Sequence, residues 1–260
     1  MLLGKRLGVK SIIILGGADV ARDPELGYGI WLSQWKSILV KRALRSADCV
    51  LAVDQSLKEE AKILAGYNGS NITTLPTGYD ALFWKPGLEK RNDILTVAVA
   101  NDKARFRIKG IDYLIQAAQQ MPATNFAVIG VEPSFAYTFR PPLNIKFYPA
   151  MTQEELLHFY QESIVYCQPS RREGLPNALC EAMLCGCVPV ATNVGGNSTA
   201  IGDSGFLVPY ADVASLISAL KEALSSGSEL TAKARARIVS LFPKEKRERE
   251  LLKIIAGLAE

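Results

Sequence analysis

The sequence predicts an α/β fold: a doubly wound, Rossmann-like parallel sheet over residues 88–242, with a smaller α/β part before it and an amphipathic helix after it. Three observations predict this. From residue 94 onward, short apolar runs alternate with amphipathic ones, as in strand–helix–strand units of a parallel sheet. An apolar content of 48% over 260 residues is enough for one large or two small buried cores. Lys109, Glu173 and Gly195, residues suited to holding a ligand, each come after an apolar run, and such sheets bind ligands beyond the carboxyl ends of their strands.

Before residue 87 the apolar strand candidates are 11–15, 49–53 and 72–75, with helices expected over 35–46 and 56–64. A full doubly wound domain uses about six strands, so residues 1–87 read as the back part of one. Residues 94–100 form a continuous apolar strand, a loop follows, and a helix is expected over 111–120. Strands at 125–129 and 145–147, a helix at 153–161, a strand at 164–167 and a helix at 176–185 continue the alternation. Strands at 188–191 and 205–208 and a helix at 213–224 complete it. In the last segment, 243–260, Pro243 starts a helix and the mixed charges of 244–250 solvate it. Leu251, Ile254, Ile255 and Leu258 then take the i, i+3, i+4, i+7 spacing of a buried stripe.

The densest chemistry lies in Ser170-Arg-Arg-Glu-Gly-Leu-Pro-Asn-Ala-Leu-Cys-Glu-Ala-Met183. Pro176 suits the first turn of a helix, because its missing N–H has no partner there. The free N–H groups and positive dipole end of that helix would face an anion beside Gly174 and Leu175. Glu181 comes eight residues after Glu173, too far for the two carboxylates to share one proton, so they are expected to hold separate parts of one ligand. Downstream, Gly195-Gly196 follows a short strand, and paired glycines let backbone N–H groups approach a phosphate. Upstream, Lys109-Gly110 opens a helix and is placed to meet an anion.

Together these residues resemble the Glu-x-seven-Glu signature of the retaining glycosyltransferases of family 4, which have the two-domain GT-B architecture. The resemblance implies that Glu173 lies against the donor sugar and that Glu181 holds the ribose hydroxyls of the nucleotide. It also implies that Lys109, with an Arg several residues before it, neutralises the diphosphate. The usual Gly-Arg-Leu is replaced by residues 100–107, which leaves Arg105, Arg107 and Lys103 open for that role, Arg105 being the first choice. Glu173, Lys109 and Arg105 are thus the expected catalytic set. Glu181, Gly174, Leu175, Pro176, Asn177, Gly195, Gly196 and Gly130 form the donor-binding set.

On the acceptor side the resemblance points to Gly16, Gly17 and Asp19, although Asp19 also suits plain turn chemistry. Residues 75–80 with Phe83 and Pro86 look like the interdomain linker; Pro76-Thr77-Gly78 also suits a type II turn. The last helix is expected to cross back onto the first domain, whose front part lies outside this sequence. Thr199 stands where the family usually has a Glu, Asp54 where it has a Ser, and no His stands near Gly16-Gly17. These departures gather toward the acceptor side, so donor binding is expected ahead of turnover.

The expected activity is hexosyl transfer from a nucleoside diphosphate-sugar to a glycan or lipid-linked acceptor, with retention, no metal and no cofactor. The alternative is a nucleotide-sugar-binding subunit that needs a partner chain to complete its first domain. A phosphorylase or 2-epimerase of the same architecture is the weaker third reading. A net charge of +4 permits peripheral contact with anionic lipid and does not argue for nucleic acid. No run approaches roughly 18 apolar residues and the start lacks a signal-peptide pattern, so a cytoplasmic chain, if membrane-bound then at the inner face, is expected. The five cysteines lie mostly in apolar runs, lack Cys-x-x-Cys pairing, and have a single His, His158, to join them, which argues for core packing over a metal site.

Overall fold

The computed structural model describes residues 7–87, 89, 90 and 92–259, which fall into two compact units. The first comprises Met1–Gly78 and Phe242–Glu260. Its sheet is three-stranded and parallel, in the order β1 (Ile12–Leu15), β2 (Cys49–Ala52), β3 (Ile72–Thr74). All four residues of β2 are buried, as expected of a central strand covered on both faces. Helix α1 (Gln34–Ser46) leads into β2, and α2 (Gln55–Ala65) leaves it. Asp54 caps α2, accepting the Ser56 N–H at 2.9 Å, and Gly66 closes it in the left-handed region.

The C-terminal helix, Lys244–Ala259, belongs to this unit. Its Leu251, Ile254 and Leu258 pack against Cys49, Leu51 and Leu75. Ile255, the fourth member of the expected stripe, is instead turned outward and 46% exposed. Gly78 has no positive φ, so the type II turn expected at Pro76-Thr77-Gly78 does not form. A side chain at 78 would meet the Lys244 Cα at 2.8 Å, so glycine serves here to admit the start of the C-terminal helix. Arg247 ties the junction by donating to the carbonyl oxygens of Leu75 and Pro76.

The second unit, Tyr79–Leu241, is built on six parallel strands. In chain order they are β4 (Asn92–Val97), β5 (Phe126–Ile129), β6 (Ile145–Tyr148), β7 (Ser163–Gln168), β8 (Val188–Thr192) and β9 (Phe206–Val208), and in space β6-β5-β4-β7-β8-β9. That is the doubly wound order, and the chain changes direction across the sheet between β4 and β7. The connecting helices are α3 (Lys103–Ile108), α4 (Ile111–Gln120), α5 (Pro133–Ala136), α6 (Gln153–Glu162), α7 (Asn177–Leu184), α8 (Gly196–Ile201), α9 (Val213–Ser225) and α10 (Ser228–Leu241). One core runs through the sheet, from Phe106 and Leu114 through Val128 and Val165 to Val190 and Leu220.

Several expectations are corrected. The strand expected over 94–100 ends at Val97, because Ala100 turns away to donate to the Gly130 carbonyl. The loop expected after it contains helix α3, capped by Asp102, whose carboxylate accepts the Arg105 N–H at 2.8 Å. Helix α10 was not expected; it buries only Ala234 and Ile238, too few for an apolar stripe in the sequence. Residues 79–87, expected with the first part, pack on the second unit. The Trp84 ring meets Tyr160 edge-on at 5.6 Å, and Gln161 donates to the Lys85 carbonyl.

Candidate functional site

Strand β7 ends in buried polar groups. Tyr166 donates its hydroxyl to Gln168 Oε1 at 2.8 Å, and Gln168 Nε2 donates to Ser170 Oγ at 2.9 Å and to Glu173 Oε1 at 2.7 Å. Gln168 is 2% exposed, so its amide can turn only if these bonds break together. Glu173 Oε1 accepts a second bond, from Lys109 Nζ at 2.7 Å. The two side chains of this ion pair are 9% and 29% exposed. Lys109 stands between α3 and α4 in the connection that follows β4, and Glu173 in the connection that follows β7. The pair therefore joins the two strands at the switch point, where a doubly wound sheet opens a crevice.

Three loops interlock to hold it. Gly110 has φ +67, and a Cβ there would lie 1.9 Å from the Pro169 carbonyl oxygen; next to it, the Arg171 N–H donates to Ile108 O at 2.8 Å. On the other side Gly195 has φ +49, and a Cβ there would lie 2.0 Å from Glu173 O. The Gly196 N–H donates to Gly174 O at 2.9 Å. The Gly196 amide is thus committed to the protein, and both glycines allow close backbone packing of the two loops. Thr192 Oγ1 donates to Ser170 O at 2.5 Å, and Asn197 Nδ2 to Thr192 O at 2.9 Å, so the Glu173 loop is bonded to β8 as well. Gly130 follows β5, gives its N–H to Tyr148 O and accepts from Ala100, joining the ends of β4, β5 and β6.

Helix α7 begins directly beyond this junction, with Pro176 in the extended cap position instead of the first helical one. Gly174, Leu175 and Pro176 are buried, and Asn177 accepts the Tyr79 hydroxyl bond on its Oδ1 at 3.0 Å. The first N–H groups of α7 have no carbonyl partner within the helix. Glu181, one turn further on, accepts the Tyr160 hydroxyl at 3.2 Å on Oε2. Burial raises its pKa to about 7, against which the Tyr160 hydrogen bond works. Tyr166 is held well above its ordinary pKa, first by burial, and it feels both the Glu173 and the Glu181 carboxylates. The two glutamates therefore flank one buried tyrosine.

Arg105 is not brought into this arrangement. It lies on α3 with its side chain 52% exposed, 3.6 Å from Asp102, and Lys103 and Arg107 are exposed too. In the first unit, Asp19 Oδ2 accepts the Gly16 N–H at 2.9 Å and its carbonyl accepts the Trp31 indole N–H, with Gly17 preceding a short 3-10 turn. This is turn chemistry. Sequence reasoning missed Tyr160, Tyr166, Gln168 and Thr192; a Gln closing an otherwise apolar strand was the available signal. Among the described residues no group of three or more His, Cys, Asp or Glu side chains is placed to hold a metal ion, and the five cysteines are free and buried.

Residues 92–226 match the family model described as glycosyl transferases group 1. The chain is 26% identical over 220 residues to the D-inositol 3-phosphate glycosyltransferase of Acidothermus cellulolyticus, covering 72% of this chain and 49% of that one. It is 28% identical over 206 residues to the putative teichuronic acid biosynthesis glycosyltransferase TuaC of Bacillus subtilis, covering 75% and 49%. It thus spans about half the length of these curated relatives. Among solved structures, the sucrose-phosphate synthase of Thermosynechococcus elongatus superposes with a TM-score of 0.81 at 20% identity, over 99% of this chain and 71% of that one. Anabaena Alr3699/HepE in complex with UDP-glucose does so with a TM-score of 0.80 at 16% identity, over 98% and 74%. The fold class is accordingly GT-B-like α/β.

Proposed function

The chain belongs to the group 1 glycosyltransferases, and we propose that its Tyr79–Leu241 unit holds a nucleoside diphosphate-sugar whose sugar passes to an acceptor. The observation that carries this reading is the Lys109–Glu173 pair, 2.7 Å apart on the two loops at the switch point. An ammonium has three N–H donors; Glu173 takes one, and a diphosphate would take the others. When the anomeric C–O bond breaks, its electron pair goes to the diphosphate. Lys109 and the N-terminal end of α7 are already fixed where that charge develops, which is preorganised electrostatic stabilisation. In this scheme Glu173, held by Gln168 and Lys109, meets the sugar, and Glu181 meets the ribose.

Retention of configuration and independence from a metal ion are parts of the proposal. So are a glycan or lipid-linked acceptor and a cytoplasmic chain in peripheral contact with a membrane. Arg105 is exposed and lies beside Asp102 on α3, whereas Lys109 is held against Glu173, so Lys109 is assigned the main role. The HepE complex holds UDP-glucose, which makes uridine nucleotides the first to try. A ligand that binds only the folded state raises its melting temperature by mass action. UDP, GDP and ADP, each tested with the full chain and with Lys109→Ala, should give a shift for at least one nucleotide that the variant loses. No shift with any of them sinks the reading.

A second reading has its own observation. Strand β1 lies at the edge of its sheet, and its Ile14 is 51% exposed. Edges of this kind invite pairing with another chain, so the protein would work as a donor-binding subunit completed by a partner. Donor hydrolysis and transfer, measured for the chain alone and with candidate neighbours, separate the two.

A further inference from the structure

We propose that α1 is a membrane-surface helix: Trp35, Ile38 and Leu39 enter the interface of an anionic bilayer while Lys36, Lys41 and Arg42 meet its phosphates. The proposal deepens the membrane contact named above and rests on that part of the reading alone. It starts from exposure. Trp35 is 63% exposed, Ile38 50% and Leu39 54%, and the one fully buried residue of α1 is Leu44. At 3.6 residues per turn, the apolar positions 35, 38 and 39 fall within about 100° of the helix circumference, the width of a stripe that globular proteins normally turn inward, and Arg42 stands one turn on in the same face. Here that stripe faces outward.

Its charged residues are of one sign. The helix reads QWKSILVKRALRS, with Lys36, Lys41, Arg42 and Arg45 and no Asp or Glu. Arg45 is occupied within the unit, donating to the Ala65 and Gly66 carbonyls. Lys36 lies 5.5 Å from the centre of the Trp35 ring, on one side of the stripe, and Lys41 falls on the other. Beside the stripe runs a groove of ≈ 650 Å³ whose lining includes Arg22, Trp31, Ile38, Lys41 and Ile63, the last 78% exposed. Two cations between apolar walls suit a phosphodiester headgroup with its acyl chains alongside.

Charge decides the occupant. An amphipathic helix with an apolar Trp-bearing face and only basic charged residues is the composition that lies in the interface of anionic lipid, where Trp prefers the headgroup level. A second copy of this face would set Lys36, Lys41 and Arg42 against their own equivalents in a two-fold contact, with like charges opposed.

The test is co-sedimentation of the full chain, without nucleotide, with vesicles of phosphatidylglycerol and phosphatidylcholine and with vesicles of phosphatidylcholine alone. Binding is expected to the anionic vesicles, to fall with added salt, and to weaken at least about tenfold in the triple variant Trp35→Ser, Ile38→Ser, Leu39→Ser. Because Trp31 and Trp84 are buried, bound protein should show a blue-shifted Trp35 emission, and Trp35→Phe should remove that shift while keeping most of the binding. Circular dichroism and the nucleotide melting shift of the triple variant should match those of the parent, which separates this proposal from the donor site. Failure to sediment with either vesicle overturns it. So does binding that the triple variant retains, or a dimer that the triple variant dissolves.

Discussion

Replacing Glu181 by Gln tests the electrostatics of the site through stability. The Tyr160 hydroxyl still finds an acceptor in the Gln carbonyl, so the change removes an ionisation and little else. The native carboxyl titrates near 7, against 4.5 for its ordinary value, and burial is the main cause. Folding therefore raises this pKa. Below about 4.5 the group is protonated in both states and costs nothing; between 4.5 and 7 the folded state retains a proton that the unfolded state releases, and stability falls as pH rises. Above 7 the loss is complete. A rise from 4.5 to about 7, at about 1.4 kcal/mol for each tenfold change in proton affinity, makes the penalty about 3–4 kcal/mol. Urea denaturation of the parent and Glu181→Gln, at about pH 5 and about pH 8.5, should show the variant gaining on the parent by that order as pH rises. Nucleotide affinity should fall in the same variant, since an amide accepts less well from two ribose hydroxyls. A stability difference that is the same at both pH values, or that shrinks with pH, refutes the reasoning.

Other predictions follow from particular contacts. Lys109→Met leaves the Glu173 carboxylate, whose side chain is 9% exposed, without its cation; it should cost about 1–3 kcal/mol in denaturation and abolish donor binding in a titration. Unchanged affinity would contradict the phosphate assignment. Gly195→Ala puts a Cβ 2.0 Å from the Glu173 carbonyl at φ +49, which should cost about 1–3 kcal/mol and weaken donor use together with stability. A silent variant would mean that the loops are not locked. In the C-terminal helix, Leu251→Ala should destabilise by about 1–3 kcal/mol and Ile255→Ala by well under 1, because Leu251 packs on the strand core and Ile255 is 46% exposed; equal effects on the urea midpoint would contradict the packing.

Much of the second unit was legible in its sequence because its strands are buried runs with few polar interruptions. Every expected strand there forms, within a few residues of its expected ends, and the expected helix 111–120 has the same bounds in the structure. Helix α3 was hidden by its charges: Lys103, Arg105 and Arg107 read as loop, although Asp102 was a visible cap. Helix α10 lacks a stripe altogether. At the site, Lys109, Glu173 and Glu181 stood out by type and spacing, whereas Thr192 acts through Ser170 on a different loop, which no local pattern encodes, and the near neighbours Tyr166, Gln168 and Glu173 bond only because the chain turns back after β7. The Gly195-Gly196 pair was visible as a special backbone, but the hydrogen bond from Gly196 to Gly174, which commits the amide, depends on how two loops meet.

The most direct measurement is a crystal structure of the full chain with bound UDP, GDP or ADP, whichever shifts the melting temperature. The diphosphate should lie within hydrogen-bonding distance of Lys109 Nζ and face the start of α7, with the ribose at Glu181. A nucleotide seated elsewhere, with the Lys109–Glu173 bond undisturbed and Glu181 still paired only with Tyr160, would contradict this placement.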